Sequence, residues 1–352
     1  MTRREQVFLA ATAAITAVAG VLRYTDANAV LAFAAATLAL AGLAWVVALA
    51  VEQVGLRFGP AVTGFMQATL GNLPEFFIVL FALGSGEVVV AQTSLIGSIF
   101  ANALLVLGLV IVAGSIRADD SCMRFGRRLP QDTATLLFVS VFVIVIIGLS
   151  IASSDRASHH IEGLSNVGAI CLLAVYGAWA WGYLRSGTAT AESGIEETEA
   201  RFPFGVAVFL LAMAATGAAF VSDWFIHALD PAVESLGISK AFAGLVIVAI
   251  AGNAVENSSG IYLAAKGKSD LAISVVKNSV AQIAAFLFPA LVLTSLLFTT
   301  HLTFALAPVY IGALFLTAIA VWQITGDGEA QIFEGLALIA IYVVLAAFTL
   351  YD

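Results

Sequence analysis

The sequence predicts an all-α polytopic membrane protein of eleven transmembrane helices: one N-terminal helix followed by two inverted five-helix repeats. Three observations carry this. Of 352 residues, 61% are hydrophobic and only 11% charged, with a mean hydropathy of +1.02, too apolar to furnish a water-soluble surface. The charges fall in short clusters separated by apolar stretches of about twenty residues, the length an α-helix needs to cross hydrocarbon. Displacing the chain by 181 positions sets Gly71, Asn72 and Glu75 on Gly252, Asn253 and Glu256, then Gly86 on Gly267, Ala91 on Ala272, Ser98 on Ser279 and Ala103 on Ala284, without a gap.

Hydropathy read against charge and Gly/Pro punctuation places spans at 6–22, 28–50, 60–83, 88–114, 133–152, 164–184, 203–228, 239–264, 270–299, 303–323 and 331–350. Residues 1–27 form the N-terminal transmembrane helix, 28–184 the first five-helix repeat and 202–352 the second. Residues 185–201 form an acidic cytoplasmic linker with Glu192, Glu196, Glu197 and Glu199. Ala17-Val18-Ala19 also resembles a signal-peptide cleavage site, although a first span is the preferred reading. With the N-terminus inside, the inner loops hold eleven Lys and Arg residues against Arg23, Arg156 and Lys240 outside. The positive-inside rule therefore places the N-terminus in the cytoplasm and the C-terminus outside. An odd number of spans per repeat inverts the second copy, the architecture of alternating-access transporters. Short polar tails and an Ala-rich composition suggest a prokaryotic plasma membrane.

A net charge of −8 excludes a basic nucleic-acid binder. Cys122 in a loop and Cys171 in a span exclude a disulfide scaffold. No phosphate-binding loop or HExxH motif occurs, so neither nucleotide nor cofactor is expected.

An ionisable group at the bilayer centre costs about 2.5 to 3.5 kcal/mol even on a lenient scale, so Glu75 and Glu256 need compensation. In G-N-x-x-E the i, i+3 spacing puts the Asn amide and the carboxylate on one helical face. Pro74 cannot donate to the Leu70 carbonyl and Gly71 loosens the same turn, freeing backbone oxygens; the second copy has Val255 in place of Pro74 and relies on Gly252. The following helices add Ser94, Ser98 and Asn102 at i, i+4 and i+8, and Asn278, Ser279 and Gln282. Such groups also serve as interhelical glue, a reading that weighs equally for Ser94 and Asn102.

Carboxylates with amide and backbone carbonyls make an all-oxygen site suited to a hard cation such as Ca²⁺. His159, His160, His227 and His301 all fall in outer loops, which disfavours zinc. Two acids in a poorly hydrated cavity tend to hold protons that an arriving dication displaces, so exchange needs no second site.

The blocks GNLPEFFIVLFALGSGEVVVAQTSLIGSIFANALLVLG and GNAVENSSGIYLAAKGKSDLAISVVKNSVAQIAAFLFP resemble the two signature repeats of the calcium/proton (cation/proton) exchanger family, within the calcium:cation antiporter superfamily. The resemblance covers the chain from about residue 28 onward. It implies a calcium site shared by Glu75 and Glu256, with Asn72, Asn253, Gln92, Ser98, Ser279 and Gln282 as ligands or site-shaping partners. It also implies export of cytosolic Ca²⁺ driven by inward proton flow. Three departures stand out: Asn257 where many members have His, Val280 where a second serine is frequent, and Lys277 inside the ninth span. Lys277 is expected to snorkel or to pair with a peripheral acid, or alternatively to act as a tethered cation for the glutamates. Glu52, Glu87, Asp223, Glu234, Glu329 and Glu334 are expected at interfaces, with Glu334 a candidate proton guide. Sodium-coupled calcium exchange is the nearest alternative and a passive cation channel a weaker one; an intramembrane enzyme lacks a base near Ser85.

Overall fold

The structure, a computed structural model, describes residues 3–25, 28–58, 66, 70–185 and 203–351, without the side chains of Leu184 and Glu256. The predicted linker 185–201 therefore lies outside the described residues except for Arg185, as does most of the first half of span 60–83.

In chain order the helices are α1 Arg3–Arg23, α2 Ala29–Gly55, α3 Leu73–Gly84, α4 Val88–Arg117, α5 Arg128–Ala152, α6 Ile161–Arg185, α7 Phe204–Leu236, α8 Lys240–Gly252, α9 Ala254–Ala265, α10 Ser269–Ser295, α11 Pro308–Thr325 and α12 Ile332–Leu350. Among the described residues nine helices are long and apolar enough to cross a membrane, or ten if the α8–α9 pair, bent by 56°, is one span. The short apolar α3 is the described remainder of span 60–83.

Local chemistry sets the ends. Asn28 caps α2, its Oδ1 accepting from the amides of Val30 and Leu31 at 2.9 and 3.2 Å. Gly86 and Gly267, with φ of +79° and +75°, make the α3–α4 and α9–α10 turns in the left-handed region that favours glycine. The sequence puts the end of span seven at 228, before Asp230-Pro231, but α7 continues to Leu236 through Pro231. Proline removes one backbone donor there, and Gly237 at φ +64° supplies the stop.

Element boundaries recur at the offset of the sequence repeat. Subtracting 181 from the limits of α9 gives those of α3; the same step carries the start of α10 to that of α4 and the end of α7 to that of α2. α4 and α10 also each contain a π-helical stretch at matching places, Ala101–Val106 and Ile283–Leu287.

The chain forms two compact units. The first comprises residues 1–94, 183–255 and 350–352; the second, 95–182 and 256–349. In the first, α2 packs along its repeat counterpart α7, with α1 beside both and α3 against α7. In the second, α5 lies between α10 and α11, and α10 crosses the π stretch of α4.

The all-α expectation needs one correction. Strands β1 Cys122–Arg124 and β2 Glu329–Gln331 pair antiparallel, with Met123 opposite Ala330. Three-residue strands are too short to show a period, and their partners lie far apart in sequence. Loops expected on one side of the membrane pair with each other: Cys122–Arg124 with Glu329–Gln331, and the Gly126 amide, which donates to Asp270 Oδ1 at 2.6 Å. So do those expected on the other side, at Glu162–His301 and where Lys240 bridges Glu87 and Asp230 at 2.8 Å each.

Candidate cation-binding site

In both G-N-x-x-E motifs a helix begins directly after the asparagine, and in the second motif another helix ends just before it. Asn72, at φ −85° and ψ 15°, precedes α3, with Pro74 in its first turn; Asn253, at φ −95° and ψ 19°, separates α8 from α9. Each break places the motif's glutamate in the first turn of a new helix, where the positive end of the macrodipole compensates a buried carboxylate. The break at Asn253 also ends α8 with carbonyls that lack an intrahelical donor.

Glu75 is 1% exposed. Its carboxylate rests on the second motif: a Cβ built on Gly252 would lie 2.5 Å from its Oε1 and 2.8 Å from its carboxyl carbon. Only a residue without a side chain admits that approach. The structure thus brings Gly71, Asn72 and Glu75 together with Gly252 and Asn253 in one unit, and the role of Gly252 as a seat for the partner carboxylate is additional to the loosening read from sequence. The side chain of Glu256 is outside the described residues.

Asn72 is buried at the turn, and buried Asn253 directs its Nδ2 to the Ala249 carbonyl at 2.9 Å, which turns the amide oxygen away from that carbonyl. Gln92 is half-buried in the first turns of α4, beside the buried Thr93 and Ser94. The Ser94 hydroxyl donates to the Ala91 carbonyl at 3.1 Å, within its own helix rather than between helices.

The second unit holds Ser98, Asn102, Ser279 and Gln282, all buried. The Asn102 Nδ2 donates to the Ser98 carbonyl at 2.9 Å. Ser279 Oγ, Asn278 Oδ1 and Asn257 Oδ1 are buried with no hydrogen-bond partner among the described residues. Such oxygens favour an occupant that supplies a positive charge or a proton. The π stretches begin within or directly after these polar groups; π segments concentrate at functional sites, and no residue pattern announces them.

Lys277 departs from expectation. It is 2% exposed, so it does not snorkel, and its Nζ donates to the Thr325 hydroxyl at 3.2 Å. Among the described residues no carboxylate lies within ion-pair distance of it. Glu334 Oε2 accepts from the Gln331 amide at 2.7 Å, closing a cap on α12. Glu87, expected at an interface, is held by Lys240, and His227 lies within α7 rather than in a loop.

A helical protein with nine or ten apolar helices long enough to cross a membrane among its described residues, and two matched polar motifs at helix starts, has the build of an integral membrane transporter. One family model, sodium/calcium exchanger protein, matches the chain twice, over residues 28–184 and 206–351, and the chain belongs to that family. It is 30% identical over 325 residues to the Ca(2+)/H(+) antiporter ChaA of Bacillus subtilis, covering 89% of this chain and 90% of that one. It is 31% identical over 323 residues to the vacuolar calcium ion transporter of Schizosaccharomyces pombe, covering 89% and 78%. Among solved structures, native YfkE matches with a TM-score of 0.79 at 27% identity, over 98% of this chain and 99% of that one.

Proposed function

We propose that this chain is a secondary antiporter that exchanges Ca²⁺ for H⁺ across a prokaryotic plasma membrane, exporting cytosolic Ca²⁺ by alternating access between two inverted repeats. Glu75 and Glu256 bind cation or protons in competition. Asn72, Asn253, Gln92, Ser98, Ser279 and Gln282 contribute oxygens or shape the site. The observation that carries this reading is the buried Glu75 carboxylate seated on Gly252 of the second motif. A mobile cation is the ligand that a carboxylate and amide oxygens at the breaks of two membrane helices accommodate.

Competition accounts for coupling. A site filled by a dication or by protons carries little net charge and reorients at low cost, whereas the empty ionised site is expensive to move through hydrocarbon. The relatives named as Ca²⁺/H⁺ antiporters support protons as the counter-ion. The eleven-to-three excess of basic residues supports a cytoplasmic N-terminus and an outer C-terminus.

The second reading, sodium-coupled calcium exchange, is favoured by the description of the matching family. Against it, Asn72 and Asn253 stand where sodium-driven relatives tend to carry hydroxyl groups. Reconstituted vesicles decide: calcium uptake driven by a pH gradient in sodium-free buffer is expected, and a requirement for sodium would establish the second reading.

A further inference from the structure

Helices α5 and α11 pack against each other in the second unit, yet a void stays open between them. It measures about 380 Å³ and is lined by Phe138, Val139, Val141, Phe142, Val145 and Phe315, without a polar side chain. Phe142 and Phe315 are exposed, so the void is an open groove, and on membrane-spanning helices its solvent is hydrocarbon.

The same face of α5 leads to a pair of arginines. Arg127, at φ −80° and ψ −27°, keeps helical geometry as the N-cap residue. Phe138 lies eleven residues on, close to three full turns, so the two share a face about 16 Å apart along the axis. Gln131 on that face donates its Nε2 to the carbonyl of Gly326, the residue that ends α11, at 3.4 Å. Arg127 itself lies against Gly328, where an added Cβ would meet its Cγ at 2.7 Å. The exposed Trp322 of α11 packs edge-on against Phe138, ring centroids 6.3 Å apart, and carries the apolar wall toward the arginine.

Charge at this end is uncompensated. Arg127 and the adjacent Arg128 are exposed, and among the described residues neither has a carboxylate within ion-pair distance, whereas Arg124 is held by Asp120 and Glu329. Asp327, beside Gly328 in sequence, accepts instead from the Glu329 amide at 3.2 Å.

We propose that the α5–α11 groove holds an acyl chain of an anionic phospholipid whose phosphate pairs with Arg127 and Arg128. Taken singly, the arginines could be solvated loop residues and the groove a packing fault. Together they lie on one face at the separation of the two ends of a lipid: half of a hydrocarbon core is about 15 Å, the depth at which the groove begins below Arg127. A guanidinium offers a phosphate two parallel donors, and two uncompensated guanidiniums favour a headgroup with net negative charge over a zwitterion. The inference does not depend on which ions are exchanged.

The test is native mass spectrometry of the purified full chain titrated with dioleoylphosphatidylglycerol or dioleoylphosphatidylcholine, for wild type, R127Q/R128Q, V145F and the control R117Q/K266Q. Wild type is expected to retain one phosphatidylglycerol under conditions that strip phosphatidylcholine. A basic residue at a membrane surface is worth about fivefold in binding, so R127Q/R128Q should weaken phosphatidylglycerol by about thirtyfold and leave phosphatidylcholine unchanged. V145F fills the groove and should weaken both lipids; V139F, at another lining position, repeats this if V145F folds poorly. The control removes two basic residues expected on the same side of the membrane and should leave retention unchanged. Equal losses in the control and in R127Q/R128Q would mean diffuse surface charge and overturn the inference, as would undiminished retention in V145F and V139F. A dimer of chains that excludes phospholipid would give the groove to a second copy and overturn it as well.

Discussion

The carboxylate of Glu75 lies against the α-carbon of Gly252, so the acid of one G-N-x-x-E motif is seated on the glycine of the other. Glycine here provides room for a buried carboxylate. A methyl group would meet Oε1 at 2.5 Å and force the carboxylate to shift. Displacing a positioned group by about 1 Å can cost roughly 100-fold in enzymes. We expect G252A to lose at least about tenfold in calcium transport with its thermal unfolding midpoint little changed. Wild-type transport would show that the contact has no functional role.

The proline of the first motif has no counterpart in the second, yet α3 and α9 both begin after an asparagine with nearly the same dihedral angles. The helix start therefore does not depend on a proline, since α9 begins with Val255 at the matching position. We expect P74A to stay within about threefold of wild type in initial transport rate, because its fixed φ only pre-organises a first turn that forms anyway. Complete loss in a folded P74A protein would make the proline indispensable.

Cys122 reports on sidedness. It sits in β1, in a loop assigned to the cytoplasm, and burial together with the nearby Glu329 carboxylate pushes its thiol pKa up. A membrane-impermeant maleimide should label it in inside-out vesicles and not in intact cells. The rate should climb as pH rises, because the thiolate is the reacting form. Labelling from the outside would reverse the orientation.

Glu334 distinguishes a cap from a proton path. Removing a capping side chain costs about 0.5 to 2 kcal/mol. E334A should lower the unfolding midpoint while leaving the pH dependence of transport where it is. A shifted pH profile at unchanged stability would assign it to the proton path instead.

Much of this architecture is legible in the sequence because a membrane leaves few choices. Apolar length and charge position mark α5 and α6 to within about five residues, and the offset of 181 matches α3 to α9 end for end. The motif asparagines and glutamates were equally visible, since a charge inside an apolar run has few bland explanations. Other features depend on distant partners. The seat at Gly252 needs Glu75, the β1–β2 pairing joins residues more than 200 apart, and α7 passes Pro231 beyond the point where local rules stop it. Lys277 stands out in the sequence, but its partner, Thr325 at the end of α11, is a contact that spacing along one helix cannot supply.

The most direct test is calcium uptake into vesicles driven by a pH gradient, compared among wild type, E75Q and E256Q, each insertion-competent and folded. The account predicts accumulation in wild type, and uptake at the level of empty vesicles when either carboxylate is replaced by its amide. Transport at the wild-type rate in E75Q or in E256Q would contradict it.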